Sequence, residues 1–166
     1  MTTEYTGWRR DKEGLGLWDG QGKVAIVGWG QSPVDRRWDG VSMDKTYGAY
    51  GMLAIQQALD DAGMSKDEID GVVACPMGMG DTWAPRPYFE PPYDTEDGLS
   101  GVSADWLVKN MGLKNVKFTM NAPGCMSNAI VVAAQAVGDG LTHTCLVLKG
   151  WHNLAGRYFQ GGDNAE

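Results

Sequence analysis

Residues 116–137 read VKFTMNAPGCMSNAIVVAAQAV, and this stretch decides the fold class. From Val116 to Met120 apolar and polar side chains alternate, which predicts a strand. A Pro-Gly turn follows, and the stretch from Ala129 to Val137 carries no charge. A helix that is apolar on every side is a buried helix, so we expect helix 126–138 to lie in the centre of the molecule. A strand that leads through a tight turn into a buried helix is a building unit of α/β folds.

Outward from this stretch, three further apolar runs predict strands near 23–28, 69–75 and 143–149, in addition to the one near 115–120. Helical periodicity predicts helices over 44–62 and 102–111. The resulting order is β-α-β-loop-α-β-α-β. It predicts an α/β fold with a mainly parallel sheet, helices on both faces and right-handed crossovers.

Local signals mark the element boundaries. Asp44 is the predicted N-cap of the first long helix and Gly63 its C-terminal stop. Ser65 opens a Ser-Lys-Asp-Glu sequence with capping-box spacing. Gly112 is the predicted end of the next helix. The predicted buried stripe of the first long helix consists of Gly48, Met52, Ile55, Leu59 and Ala62.

The remaining segments suggest the domain organisation. Residues 1–22 are polar and Gly-rich and are predicted to form an N-terminal arm, whereas 23–151 form one domain. Residues 76–101 are rich in Pro, Gly and aromatic side chains and predict a long loop, which is more often functional than idle. Residues 152–166 have the composition of a loop in which the chain is cut, so the sequence looks truncated.

Composition excludes several classes of function. The net charge is -7 without any basic run, which argues against a nucleic-acid partner. No apolar run approaches the length of a membrane span. The three cysteines are an odd number without CxxC spacing, and the chain has two histidines. We therefore expect neither a disulfide framework nor a metal site, and a reducing cytoplasm fits best.

Cys125 is the candidate nucleophile. It follows a strand and a Pro-Gly turn and opens the predicted central helix. The positive end of a helix stabilises a thiolate, and its backbone N–H groups can bind a developing oxyanion. The alternative is a small buried side chain without chemistry. Cys75 and Cys145 lie within strand runs, where that alternative is strongly favoured.

The two histidines flank the last predicted strand. His143 lies in a turn and is interpreted as a solvated connector, whereas His152 follows the carboxyl end of the strand, where α/β sheets bind ligands. The segment from Gly28 to Pro33 resembles a dinucleotide-binding fingerprint, but Pro33 replaces its third glycine and the helix begins too late. We therefore reject NAD binding.

Three segments resemble thiolases of the sterol-carrier type. Residues 24–33, VAIVGWGQSP, look like their first strand and turn. Residues 54–63, AIQQALDDAG, followed by 69–73, IDGVV, resemble their first helix and second strand. Residues 121–129, NAPGCMSNA, continued by AAQAV at 133–137, are similar to their nucleophile turn and central helix. The resemblance covers about 23–151 and implies the thiolase-like N-terminal half of a five-layered αβαβα sandwich.

The resemblance also implies a chemistry. The cysteine that matches Cys125 accepts the acyl group of an acyl-CoA, so we predict Cys125 as catalytic and assign Met126, Ser127 and His152 to substrate binding. No cofactor is expected beyond coenzyme A as part of the substrate. The histidines and second cysteine that activate the nucleophile come from the second half of thiolases, in motifs that do not occur here. We expect this chain to be inactive alone, because it is truncated or because another polypeptide supplies the rest.

The nucleophile turn departs from the usual Cys-Gly-Ser-Gly or Cys-Ser-Ser-Gly context of thiolases. Such departures occur among thiolase-like proteins that work with small OB-fold, zinc-ribbon partners, including steroid side-chain aldolases. Three hypotheses stay open: an acyl-transferring thiolase, an aldolase that cleaves a bulky acyl-CoA by retro-aldol chemistry, and a non-catalytic scaffold subunit. The resemblance further implies a homodimer formed through the strand that ends near Asn121.

Overall fold

The computed structural model describes residues 20, 22–35, 41–75, 102–122 and 126–150. Within these ranges lie strands β1 (Gly71–Cys75), β2 (Phe118–Asn121) and β3 (Cys145–Lys149) and helices α1 (Tyr47–Ala62), α2 (Ala104–Met111) and α3 (Met126–Gly138). The strands form one sheet in the order β2-β1-β3, and both neighbouring pairs are parallel. The predicted domain boundaries, the long loop at 76–101 and the tail at 152–166 lie outside the described residues.

The helices begin and end mostly where local sequence signals place them. Gly63 and Gly112 adopt the left-handed conformation that ends α1 and α2, with φ of 65° and 63°. Ser65 and Glu68 form the predicted capping box around a single 3-10 turn. The predicted N-cap Asp44 is wrong. Thr46 caps α1 instead, because its hydroxyl accepts a hydrogen bond from the Ala49 N–H (3.2 Å), and residues 43–45 form a separate 3-10 turn.

Two apolar layers cover the sheet, one on each face. Alternate residues of a strand point to opposite faces. Val72, Ala74 and Leu146 pack with α1 and α2, whereas Val73 and Cys75 pack against α3. Val72 and Val73 are fully buried, and each such side chain contributes roughly 1.5–3 kcal/mol through apolar burial. These contacts confirm the predicted α/β fold with a parallel sheet and helices on both faces.

The predicted first strand, near 23–28, is not a strand in the structure. The positions on both sides of β1 are occupied by β2 and β3. The following backbone instead crosses α1, where the Trp29 N–H donates to Asp61 Oδ2 (3.1 Å) and the Gln31 N–H to Gln57 Oε1 (3.3 Å). At Gly28 a Cβ would overlap the backbone of α1, so glycine permits this close approach.

The prediction that α3 is buried on every side is also wrong. Ala129, Ala133 and Ala136 face the sheet and are buried. Ile130 and Val131, on the opposite side, are 39% and 52% exposed. In the described part of the chain, α3 therefore has one side covered by the sheet and one side uncovered, although its sequence carries no charge. No helix within the described ranges is both long and apolar enough to cross a membrane.

Candidate active site

The carboxyl ends of the three parallel strands meet at one edge of the sheet. β1 ends at Cys75, β2 at Asn121 and β3 at Lys149. Helix α3 follows β2 in the chain and packs against β1 and β3, so its N-terminus lies at this carboxyl edge. Open α/β sheets bind ligands at this edge, and a helix N-terminus favours negative charge there.

The start of α3 carries two of the four predicted site residues. Met126 and Ser127 lie in its first turn, and both are exposed at the carboxyl edge. Cys125 immediately precedes α3 in sequence, but Cys125 and His152 lie outside the described residues. The structure thus brings Met126 and Ser127 together, whereas the placement of Cys125 and His152 stays a prediction.

The backbone that leads into the predicted nucleophile turn is held on both sides. The Ala122 N–H donates to the Ala74 carbonyl (2.8 Å), which extends the pairing of β2 with β1 by one residue. Asn121 Oδ1 accepts a hydrogen bond from the Ala104 N–H (2.8 Å) and so joins the end of β2 to the start of α2. Ala122 is fully buried and packs with Ala129 of α3. The last residues before the turn are therefore fixed against both helices and the sheet.

Comparison with solved structures identifies the architecture. No protein-family model matches the sequence, and no curated protein matches it significantly. A thiolase-fold aldolase, the Ltp2-ChsH2(DUF35) aldolase, superposes with a TM-score of 0.55 at 20% sequence identity over 84% of this chain. The chain has a thiolase-like fold. It spans 30% of the length of that aldolase chain.

A second thiolase-like structure also matches in part. It is the priming β-ketosynthase from the R1128 polyketide biosynthetic pathway, with 22% identity over 61% of this chain and 26% of that chain. Its TM-score is 0.41.

Three polar groups at the carboxyl edge of this thiolase-like fold were not predicted from the sequence as site residues. Lys149 Nζ lies 3.4 Å from Cys75 Sγ, across neighbouring strands. The buried Tyr47 ring, from the first turn of α1, contacts Gly150 just beyond β3. Burial raises the pKa of Tyr47 to about 12, so the phenol is neutral and can donate at physiological pH. For Lys149, the signal in the sequence was a polar residue at the end of an apolar strand, which could have marked it as a candidate site residue.

The two described cysteines, Cys75 and Cys145, have the environments expected of structural thiols. Cys75 is 1% exposed and Cys145 is half-buried. Burial, aided by the negative charge of Asp70, raises the pKa of the Cys145 thiol to about 11. Cys145 is therefore a neutral thiol at physiological pH, in agreement with a structural role in β3.

The opposite, amino edge of the sheet carries a shallow polar depression of about 680 Å³. It is lined by acidic and basic side chains, among them Glu68, Asp70, Lys117 and His143. His143 is exposed, as predicted for a connector, and its backbone N–H donates to Asp70 Oδ1 (2.8 Å). In the described ranges no group of three or more His, Cys, Asp or Glu side chains is arranged to hold a metal ion.

Proposed function

We propose that this chain forms the amino-terminal part of a thiolase-like enzyme that makes or breaks a carbon–carbon bond in an acyl-CoA thioester. The observation that carries the proposal is the strand-turn-helix unit at the carboxyl edge of the sheet. β2 ends there and α3 begins there, and Cys125 is the residue directly before α3. In the proposed reaction the Cys125 thiolate attacks the thioester carbonyl, coenzyme A leaves as a thiol, and an acyl-Cys125 intermediate remains.

The described neighbours of Cys125 suit such a step. The first-turn N–H groups of α3 face the carboxyl edge and can stabilise the oxyanion that forms on the thioester carbonyl. Met126 and Ser127 are exposed at the same place and can contact the acyl chain or the pantetheine arm. Coenzyme A enters as part of the substrate, and no separate cofactor is proposed.

Retro-aldol cleavage of a bulky, steroid-type acyl-CoA is the second candidate reaction. It is favoured by the unusual residues after Cys125 and by the name of the Ltp2-ChsH2(DUF35) aldolase, whose fold this chain shares. In that reaction Cys125 lines the pocket and forms no acyl intermediate. A small OB-fold, zinc-ribbon protein is the partner proposed for this alternative. A non-catalytic scaffold is the third candidate, in which Cys125 takes part in no reaction.

Several further properties belong to the same proposal. The whole enzyme contains a second thiolase-like half, which covers the exposed side of α3. The exposed edge strand β2 pairs with a second copy in a homodimer. The cysteine pattern favours a reducing, cytoplasmic location.

The experiment compares Cys125→Ser with the unchanged enzyme, each purified together with its second half. A hydroxyl has a far higher pKa than a thiol, so the substitution should abolish acyl transfer while it conserves volume and leaves the fold intact. Acid quenching with labelled acetyl-CoA should trap a hydroxylamine-sensitive thioester on the peptide that contains Cys125. Full activity in Cys125→Ser would reject the thiolase mechanism in favour of retro-aldol cleavage. If the unchanged protein shows neither acyl transfer nor a label on Cys125, the chain is a non-catalytic scaffold.

A further inference from the structure

Cys75 and Lys149 form a close cross-strand pair at the carboxyl edge of the sheet. They are register partners in the parallel pairing of β1 with β3, and each is the last residue of its strand. Their side chains point to the same face, since Lys149 Nζ lies 3.4 Å from Cys75 Sγ. The pairing of the two strands thus holds a thiol and a primary amine close enough to form a bond with each other.

Burial decides which reagents can reach this pair. Cys75 is 1% exposed and packs with Ala122 and Ala129 beneath the start of α3. Glutathione and other large thiols cannot approach a sulfur in this position, whereas hydrogen peroxide has a size close to that of water. Lys149 is partly exposed and places its amine beside the sulfur. An oxidised Cys75 sulfur therefore meets the Lys149 amine before it meets an external thiol.

We propose that Cys75 and Lys149 are an oxidative crosslinking site, at which peroxide joins the two strands through a sulfur–nitrogen bond. In the first step the Cys75 thiol reacts with hydrogen peroxide to give a sulfenic acid and water, so sulfur is oxidised by two electrons and peroxide is reduced. In the second step the Lys149 side chain loses its ammonium proton to solvent, and the resulting amine attacks that sulfur. The S–N bond forms, the S–O bond breaks, and one amine hydrogen leaves with the hydroxyl as water.

The crosslink would tie the carboxyl ends of β1 and β3 together. Sulfenic acids condense with nearby nitrogen to sulfenamides, which protects the sulfur from irreversible oxidation to sulfinic and sulfonic acids. Once digestion has exposed the sulfur, thiols reverse the bond, because attack on the sulfenamide sulfur releases the amine. The site does not depend on the proposed acyl-CoA chemistry, since neither Cys75 nor Lys149 is assigned a step in it.

Cys145 is the internal control for this reaction. It also lies in a strand, on the same face of the sheet, and it is less buried than Cys75. Its sulfur lies 3.8 Å from the Leu146 carbonyl oxygen. A carbonyl oxygen cannot form the sulfenamide, and the nitrogen that hydrogen-bonds to this thiol is the Val73 backbone amide, a far weaker nucleophile than the Lys149 amine.

The test treats the full chain with hydrogen peroxide and analyses a non-reducing digest by mass spectrometry. We expect the peptides that contain Cys75 and Lys149 to be joined with the net loss of two hydrogens, and dithiothreitol to separate them. Cys145→Ser should retain the joined product. Lys149→Arg keeps the positive charge but not the nucleophilic amine, so it should lose the link and accumulate sulfinic and sulfonic acids at Cys75.

Three results would overturn the proposal, and the first two need no variant. Oxidation of Cys75 in the unchanged chain without a link to Lys149 would show that the amine does not capture the sulfur. An unreacted Cys75 under conditions that oxidise Cys145 would show that peroxide does not reach it. A link of the same mass in Lys149→Arg would assign the nitrogen to another residue.

Discussion

Asp70 shows how one residue, through its side chain and its backbone carbonyl, can join all three strands at their amino ends. Asp70 is 7% exposed as a whole residue. Its carboxylate accepts hydrogen bonds from the Thr142 hydroxyl and from the backbone N–H groups of His143 and Thr144, the latter two at 2.8 Å. Its own carbonyl accepts from Lys117 N–H (2.8 Å) at the start of β2. Burial alone would raise the pKa of Asp70, but these hydrogen bonds and the Lys117 charge together hold it below its usual value.

The lowered pKa makes stability depend on pH in a defined direction. A carboxyl whose pKa is lower in the folded than in the unfolded state contributes stability above its unfolded value, and this contribution is lost as pH falls through the folded value. We expect Asp70→Asn to lower the free energy of unfolding at neutral pH by roughly 1–3 kcal/mol, since charged hydrogen bonds are lost. The difference from the unchanged chain should shrink in acid.

Urea unfolding at pH 7 and in acid would measure this effect. Lys117→Ala is the control, because its exposed ion pair with Asp70 (3.8 Å) should contribute less than about 1 kcal/mol. A difference between Asp70→Asn and the unchanged chain that is the same at both pH values would contradict the assigned role of the charge.

A second prediction for a single residue is that Gly150 does not tolerate a larger side chain. A Cβ at Gly150 would overlap the buried ring of Tyr47, so Gly150→Ala should cost roughly 1–3 kcal/mol of unfolding free energy through overpacking. Gly51→Ala is the matched control in α1. Its Cβ would lie 3.2 Å from a Leu148 methyl group, which can move, and alanine favours the helix. Urea denaturation that shows equal losses in both variants would contradict the contact with Tyr47.

Residues whose roles depend on neighbours in sequence were predictable, and those that depend on distant partners were not. The Gly63 stop and the Ser65 capping box follow from patterns of a few residues. Asp44 failed as a cap because Thr46, two residues later, satisfies the helix N–H groups instead. The pair Cys75 and Lys149 could not be predicted, since its partners are 74 residues apart and meet only through the register of β1 with β3.

At the scale of elements, apolar composition predicted strands better than it predicted their places in a sheet. The runs at 69–75, 115–120 and 143–149 contain β1, β2 and β3. The run at 23–28 has the same composition but lies outside the sheet, because strand propensity reports a tendency to pack and not which edge is open. Which strands become neighbours is decided by the helices that connect them.

Strand β2 is the element through which we predict that two copies of the chain assemble. It lies at one edge of the sheet, and the N–H groups of Phe118 and Ala122 point to β1. With the two-residue period of a strand, the Thr119 N–H points to the open edge. Thr119→Pro removes this donor and should prevent pairing with a second copy, whereas Thr119→Ala keeps the donor.

Light scattering after size exclusion at micromolar concentration distinguishes these variants. The expected result is a dimer for the unchanged chain and for Thr119→Ala, and a monomer for Thr119→Pro. A monomer in all three would contradict assembly through β2 for this chain, and a dimer in all three would place the interface elsewhere.

At the scale of the whole molecule, the order of elements predicted the α/β architecture, but the apolar composition of α3 did not predict its burial. The uncharged α3 sequence predicted a helix covered on all sides, whereas Ile130 and Val131 are exposed. A sequence reports how apolar a helix is and not which polypeptide covers it. The second half proposed above would supply a layer over this side of α3.

The central claim is that Cys125 is the reactive thiol of this fold, and competitive alkylation tests it most directly. The chain, purified together with the second half proposed for it, is treated with limiting iodoacetamide at neutral pH, with and without saturating acyl-CoA. Each cysteine is then quantified by mass spectrometry. A helix N-terminus lowers the pKa of a thiol, whereas Cys75 is buried and burial raises the pKa of Cys145 to about 11. We predict that Cys125 is modified first and that acyl-CoA protects it; faster modification of Cys75 or Cys145, or no protection of Cys125, would contradict the account.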